Sequence, residues 1–221
     1  MSRSRVVEPN GADGGALRRP QPPPHLLDAA SAGPAFAPDA ALRDWIVRTF
    51  VQPDGVLAND DHRHLLPARI GCLWTRVACT RHGRRIVGQC EFRPPGGGFG
   101  RWQRARAEQQ IIEWFGTPID FLLTFDAAYA SACTDAEFCA LVEHELYHAG
   151  QACDASGAPK FAADTGIPVF ALRAHDVEQF LGVVRRYGAD VAGVRNLIEA
   201  AQSDPIATPT QIGIACGTCR R

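Results

Sequence analysis

One stretch of this sequence admits little choice of local structure. Thr134 is followed three residues later by Glu137, a pairing that satisfies two unpaired backbone donors at a helix start. Residues 135–149 then contain neither Gly nor Pro, and Phe138, Leu141, Val142 and Leu146 recur at helical spacing. The pattern predicts an amphipathic helix over 135–149, with Gly150 just past its end. Inside that helix, residues 144–148 read His-Glu-Leu-Tyr-His.

Positions i and i+4 share a helix face, so the imidazoles of His144 and His148 can point at one ion. Zinc suits them, because it accepts neutral nitrogen ligands at about 2.0–2.1 Å in tetrahedral geometry. Glu145 lies beside that face rather than on it. It can reach a metal-bound water without ligating the metal, which is the position of a general base. The pattern points to hydrolysis of a peptide bond, with one catalytic Zn2+ as cofactor and a protein or peptide as substrate.

A catalytic zinc takes three protein ligands and keeps one position open. A Gly at 151 and a His at 154 would continue the motif as in metzincins; the chain has Gln151 and Asp154, which excludes that subclass. His175 is the only histidine after His148. It is expected to open a helix over 175–187, with Glu178 one turn later on the same face and Gly182 adding no bulk there. His175 is the favoured third ligand and Glu178 the alternative. Asp176 could hold a ligand imidazole in the required tautomer. Tyr147, Arg173 and Tyr187 are available to stabilise an oxyanion, and nothing in their spacing singles one out.

The remaining elements follow from periodicity and breakers. Residues 1–38 are rich in Pro and Ala and read as a disordered tail. A helix over 39–50 with Asp39 as its cap comes next, then a loop over 52–68 that holds His62 and His64 in solvent. Strands are expected over 70–77 and 85–92, paired across the turn at 81–83, and a third over 119–127. Between them, residues 101–115 read as a helix stopped by Gly116. A hairpin is expected over 160–172, turning at 164–166, and a last helix over 190–202. Residues 206–221 read as a tail ending in Cys216-Gly-Thr-Cys219, which is half of a structural zinc site without a partner pair. Helices and strands mix without regular βαβ alternation, so the fold class is α+β, with a compact domain over 39–205.

Composition narrows the remaining choices. The 221 residues carry a formal net charge of −1, which gives no general attraction to nucleic acid or membrane. The arginines at 81, 84 and 85 and at 101, 104 and 106 read as a solvated face, because no aromatic residues interleave them as a stacking platform would require. No apolar run is long enough to span a bilayer, and the basic N-terminus lacks the apolar stretch of a secretory signal. Cytoplasmic residence is the expectation, and the eight cysteines are expected as thiols.

Five stretches resemble the phage metallopeptidase family, a zincin-like group of phages and prophages. They are Ile-Gly-Cys-Leu-Trp-Thr at 70–75, Ala-Glu-Gln-Gln at 107–110, Asp-Phe-Leu-Leu-Thr-Phe-Asp-Ala at 120–127, Leu-Val-Glu-His-Glu-Leu-Tyr-His at 141–148 and Arg-Ala-His-Asp-Val-Glu-Gln-Phe at 173–180. The resemblance runs from about residue 40 onward. It implies a compact zincin fold in which a small sheet packs on the metal helix and its edge strand lines the cleft. It also implies zinc on His144 and His148, a catalytic Glu145, and a site completed by the segment from His175 to Glu178. Three readings stay open at this point: a peptidase, a zinc hydrolase of another amide, and a zinc-stabilised interaction or nucleic-acid-associated protein whose four protein ligands would close the metal sphere.

Overall fold

The computed structural model describes residues 18–28 and 32–218. Its elements in chain order are β1 (Phe36–Pro38), α1 (Ala40–Ile46), β2 (Ile70–Thr75), β3 (Cys79–Arg81), β4 (Arg84–Ile86), β5 (Gly88–Phe92), α2 (Arg101–Phe115) and β6 (Phe121–Asp126). These are followed by α3 (Ala127–Ala132), α4 (Asp135–His148), β7 (Ala149–Gln151), β8 (Phe170–Leu172), α5 (Leu181–Val191), α6 (Arg195–Gln202) and α7 (Pro209–Cys216). The architecture is α+β, as expected. No helix among the described residues is long and apolar enough to cross a membrane.

The main sheet has the order β1-β2-β6-β5. β2 and β6 run parallel at its centre, while β1 and β5 pair antiparallel on the outside. Both faces of the central pair are covered, which is why 70–75 and 121–126 read as nearly unbroken apolar runs. On one face Trp74, Phe121, Leu123 and Phe125 meet α1 and α4. There Trp74 stacks on Phe138 at 5.8 Å between ring centroids, and Trp45 lies 5.9 Å from the same ring. On the other face Leu73 and Leu122 meet Ile111, Trp114 and Phe115 of α2.

Asp39 caps α1 as anticipated, accepting from Leu42 N–H at 3.0 Å, and its second carboxylate oxygen takes the Trp74 indole N–H at 2.7 Å. α1 ends in a π-helical turn over Val47–Val51. The capping box of α4 is present, with Thr134 and Glu137 bonding each other's backbone.

Several expectations fail, each for a tertiary reason. The 70–77 and 85–92 stretches do not pair: both edges of β2 are already taken by β1 and β6, so the second stretch splits into β4, which closes a small hairpin with β3, and β5, which pairs with β6. Phe36–Pro38, assigned to the tail, is the outer strand β1; a sheet edge tolerates its terminal proline. Arg19, also assigned to the tail, is buried against α4, where it pairs with Asp135 at 3.0 Å and lies over the Phe138 ring. Residues 1–17 and 29–31 of the expected tail lie outside the described residues.

The 52–68 segment is not a solvated loop, since His62 is fully buried beside Tyr147 and His64 bonds the Ala149 carbonyl at 2.8 Å. Residues 206–218 of the expected C-terminal tail are not a tail. α7 packs on α4, its Ala215 carbonyl takes the Trp45 indole N–H at 2.7 Å, and Cys216 is buried with its sulfur 3.7 Å from that of Cys139. Cys219, the other half of the expected CxxC, lies outside the described residues. The described cysteines are free thiols.

Candidate metal centre

α4 ends at His148 because the chain is drawn into a strand. Ala149–Gln151 forms β7 and pairs antiparallel with β8, so Gly150 is an extended residue and not a left-handed helix stop. The ladder continues one step beyond the strands, with Arg173 N–H donating to the His148 carbonyl at 2.9 Å. The chain thus returns to the end of α4 two residues before His175.

His175 therefore does not open a helix. It lies in an irregular segment between β8 and α5, which starts only at Leu181. The strand pairing, rather than helix phase, brings its ring to the other two. His144 Nε2 lies 3.2 Å from His148 Nε2 and 3.2 Å from His175 Nε2, and the three candidate ligand atoms all fall within 4.8 Å of one another. A tetrahedral ion with bonds of about 2.0–2.1 Å separates its ligand nitrogens by about 3.3 Å. The spacing fits a shared cation.

The proton positions fit as well. His148 Nδ1 is 2.7 Å from the Arg173 carbonyl, which can only accept, so Nδ1 carries the proton and Nε2 presents a lone pair. His144 Nε2 can donate to at most one of its two neighbours, so a cation among the three satisfies contacts that protons cannot. Burial, together with the adjacent His148 and His175, lowers the His144 pKa and keeps that ring neutral, as a ligand must be. His144 and His175 are exposed, so the three nitrogens open to solvent.

Glu145 is 3% exposed. It points from α4 at the edge strand β5, where a Cβ added to Gly88 would stand 2.6 Å from its Oε1. Burial pushes its carboxyl up to about 7, with the Cys90 backbone N–H pulling the other way. A carboxyl poised there can take or give a proton near neutral pH. The sequence reading missed Gly88; an isolated glycine within a strand signals a close approach, and here the visitor is the glutamate.

The other candidates are placed elsewhere. Glu178 does not join the three nitrogens; its Oε1 lies 3.6 Å from His175 Nδ1, behind the ring. Asp176 does not reach an imidazole but binds the Arg173 guanidinium at 2.6 Å. That guanidinium also lies over the Tyr147 ring. The Tyr147 hydroxyl faces away from the site, donating to Asp61 at 2.9 Å and accepting from Asn59 at 3.0 Å. Tyr187 sits on α5 with its ring against Arg186. Asn59 also donates to Glu143 at 2.7 Å, so the 59–62 segment braces α4 through Glu143 and Tyr147.

Comparison with curated proteins and with solved structures finds no match. A protein-family model does match, over residues 43–202, a span that holds α4, the edge strand β5 and His175. The chain belongs to the family described as "Putative phage metallopeptidase".

Proposed function

We propose that the protein is a zinc-dependent peptidase that holds Zn2+ through His144, His148 and His175 and uses Glu145 as general base. The observation that carries this reading is the convergence of three imidazole nitrogens within 4.8 Å of one another, two of them on α4 beside the buried Glu145 carboxyl. Three ligands rather than four leave room for solvent or substrate, which separates a catalytic from a closed structural site.

Bound zinc would supply Lewis acidity toward a water and a peptide carbonyl. The chain supplies the rest. The Arg173 carbonyl fixes the His148 tautomer, and Glu178 stands behind His175 as a partner for its Nδ1. Glu145 accepts the proton released by the attacking water and returns it to the leaving amine. Gly88 leaves the space that carboxyl occupies.

Metal analysis of purified wild type, His144→Ala, His148→Ala, His175→Ala and Glu178→Ala tests the ligand set. The three histidine variants should lose the zinc and Glu178→Ala should keep it. Zinc that survives His175→Ala but not Glu178→Ala would overturn the assignment. Glu145→Gln should keep one zinc and lose turnover on a denatured protein substrate by at least about a hundredfold; equal turnover discards the general base.

A further inference from the structure

The charge of this chain is distributed very unevenly. Residues 62–107 hold ten arginines and a single carboxylate, Glu91, in a protein of net charge −1. Some of these arginines serve the fold: Arg69 binds Asp120 and Arg85 binds Asp126. Arg81 and Arg84 do not. They face each other across the β3–β4 ribbon, whose turn is made by His82 and Gly83, both with positive φ. Directly paired residues of an antiparallel ribbon project to the same face, and like charges placed so destabilise the pairing. Among the described residues no ion pair or side-chain hydrogen bond relieves either guanidinium. Both are exposed. Arg85 projects to the opposite face, where Asp126 anchors the ribbon to the body of the protein and leaves the Arg81–Arg84 face turned outward.

The position of the ribbon gives this unrelieved charge a use. β4 runs directly into β5, the strand that packs against Glu145, and Arg84 is four residues from Gly88. At about 3.3 Å per extended residue that is about 13 Å, the reach of four residues of an extended polypeptide. We propose that the β3–β4 ribbon is a substrate-docking arm, in which Arg81 and Arg84 receive Asp or Glu side chains of the polypeptide presented to the metal centre. The inference rests on the peptidase reading and adds to it a substrate class: acidic segments. A polypeptide fits better than nucleic acid because the ribbon carries no Phe, Tyr or Trp on which bases could stack and offers two unpaired cations, fewer than phosphate-tracking surfaces use. Guanidinium–carboxylate forks supply specificity of this kind.

Binding to the turnover-silent Glu145→Gln protein tests the arm apart from catalysis. The probes are a fluorescein-labelled peptide of alternating Glu and Ala, its Gln–Ala counterpart, and a labelled single-stranded oligonucleotide. The Glu–Ala peptide should bind at least about tenfold tighter than the Gln–Ala peptide and weaken with added salt. Adding Arg81→Glu and Arg84→Glu should erase that difference while zinc content stays at the parent level. Equal affinity for the two peptides, an unchanged preference in the double variant, or tighter binding of the oligonucleotide than of the Glu–Ala peptide each overturns the proposal. A second measurement uses the wild type on a mixed peptide pool. Cleaved sites should be enriched in Asp or Glu within about four residues on one side of the broken bond. The double arginine variant should lose the enrichment and still cut neutral peptides. A zinc-loaded wild type that cuts nothing in the pool defeats the peptidase reading and, with it, the docking of a substrate to be cleaved. Cutting without acidic enrichment defeats the arm alone.

Discussion

At the scale of single residues, the proposed chemistry depends on one side chain and on one that is missing. Glu145 is both buried and titratable near neutrality because it leaves a helix and enters a notch in a strand, and the notch is Gly88. A methyl group at 88 would stand 2.6 Å from Glu145 Oε1 and 2.8 Å from Leu141 Cδ1. Both are ends of flexible side chains, so the fold can absorb the change by moving them, and what moves is the proposed base. Gly88→Ala should therefore fold and bind one zinc, yet lose turnover by about tenfold or more, since displacement of a catalytic group by about 1 Å costs up to a hundredfold. Wild-type kcat in a properly folded Gly88→Ala protein would show that the glutamate has no need of that notch.

At the scale of elements, the helix that carries His144 and His148 was readable and the arrival of His175 beside it was not. Thr134, Glu137 and the apolar spacing after them encode α4 locally, and the two histidines share its face by helix geometry alone. His175 could be named because no other histidine follows His148, but its supposed helical setting was wrong. Val177, Phe180, Leu181 and Val184 have helical spacing, yet the first two lie in an irregular segment ahead of α5. Pairing of β7 with β8 overrides the local preference, and no periodicity in three-residue strands announces that. The same limit hid the true partner of 85–92: hairpin spacing suggested β2, and only competition for the edges of β2 excludes it. β7 and β8 hold the site through Gly150, where a Cβ would come 3.0 Å from Arg173 Cβ and 3.2 Å from the Ala171 carbonyl oxygen. Gly150→Val should push β8 outward and loosen the Arg173 carbonyl from His148 Nδ1. Loss of such a partner to a ligand imidazole typically weakens metal binding about 10–100-fold. Competition titration with a zinc chelator measures it, and a wild-type zinc affinity would show that the strand pairing does not hold the ligand.

At the scale of the whole molecule, the family match and the packed body do not coincide. The match covers 43–202, while segments on either side of it close over the N-terminal half of α4. From one side Arg19 binds Asp135 and covers Phe138; from the other α7 buries Cys216 against Cys139, and Thr218 binds the second oxygen of Asp135 at 2.7 Å. The two segments also join directly, Arg19 N–H donating to the Cys216 carbonyl at 3.2 Å. Composition could not reveal this, because a Pro-rich stretch and a short Cys-bearing end each bury little alone and gain stability only by docking on a helix already formed. The clamp grips the end of α4 opposite His144 and His148, which separates its effect on stability from its effect on metal. Removal of residues 207–221 strips the Trp45 indole N–H of its acceptor in the core, and an unsatisfied buried donor costs about 1–3 kcal/mol before lost apolar burial is counted. In a chain of this size each kcal/mol moves the melting temperature by about 2–4 °C. The truncated protein should thus melt at least about 4 °C below the full chain, yet bind one zinc with unchanged affinity, because β7, β8 and the 173–178 segment remain. An unchanged melting temperature would mean that α7 does not brace the core, whereas loss of zinc along with stability would mean that the two ends of α4 cannot be loosened separately.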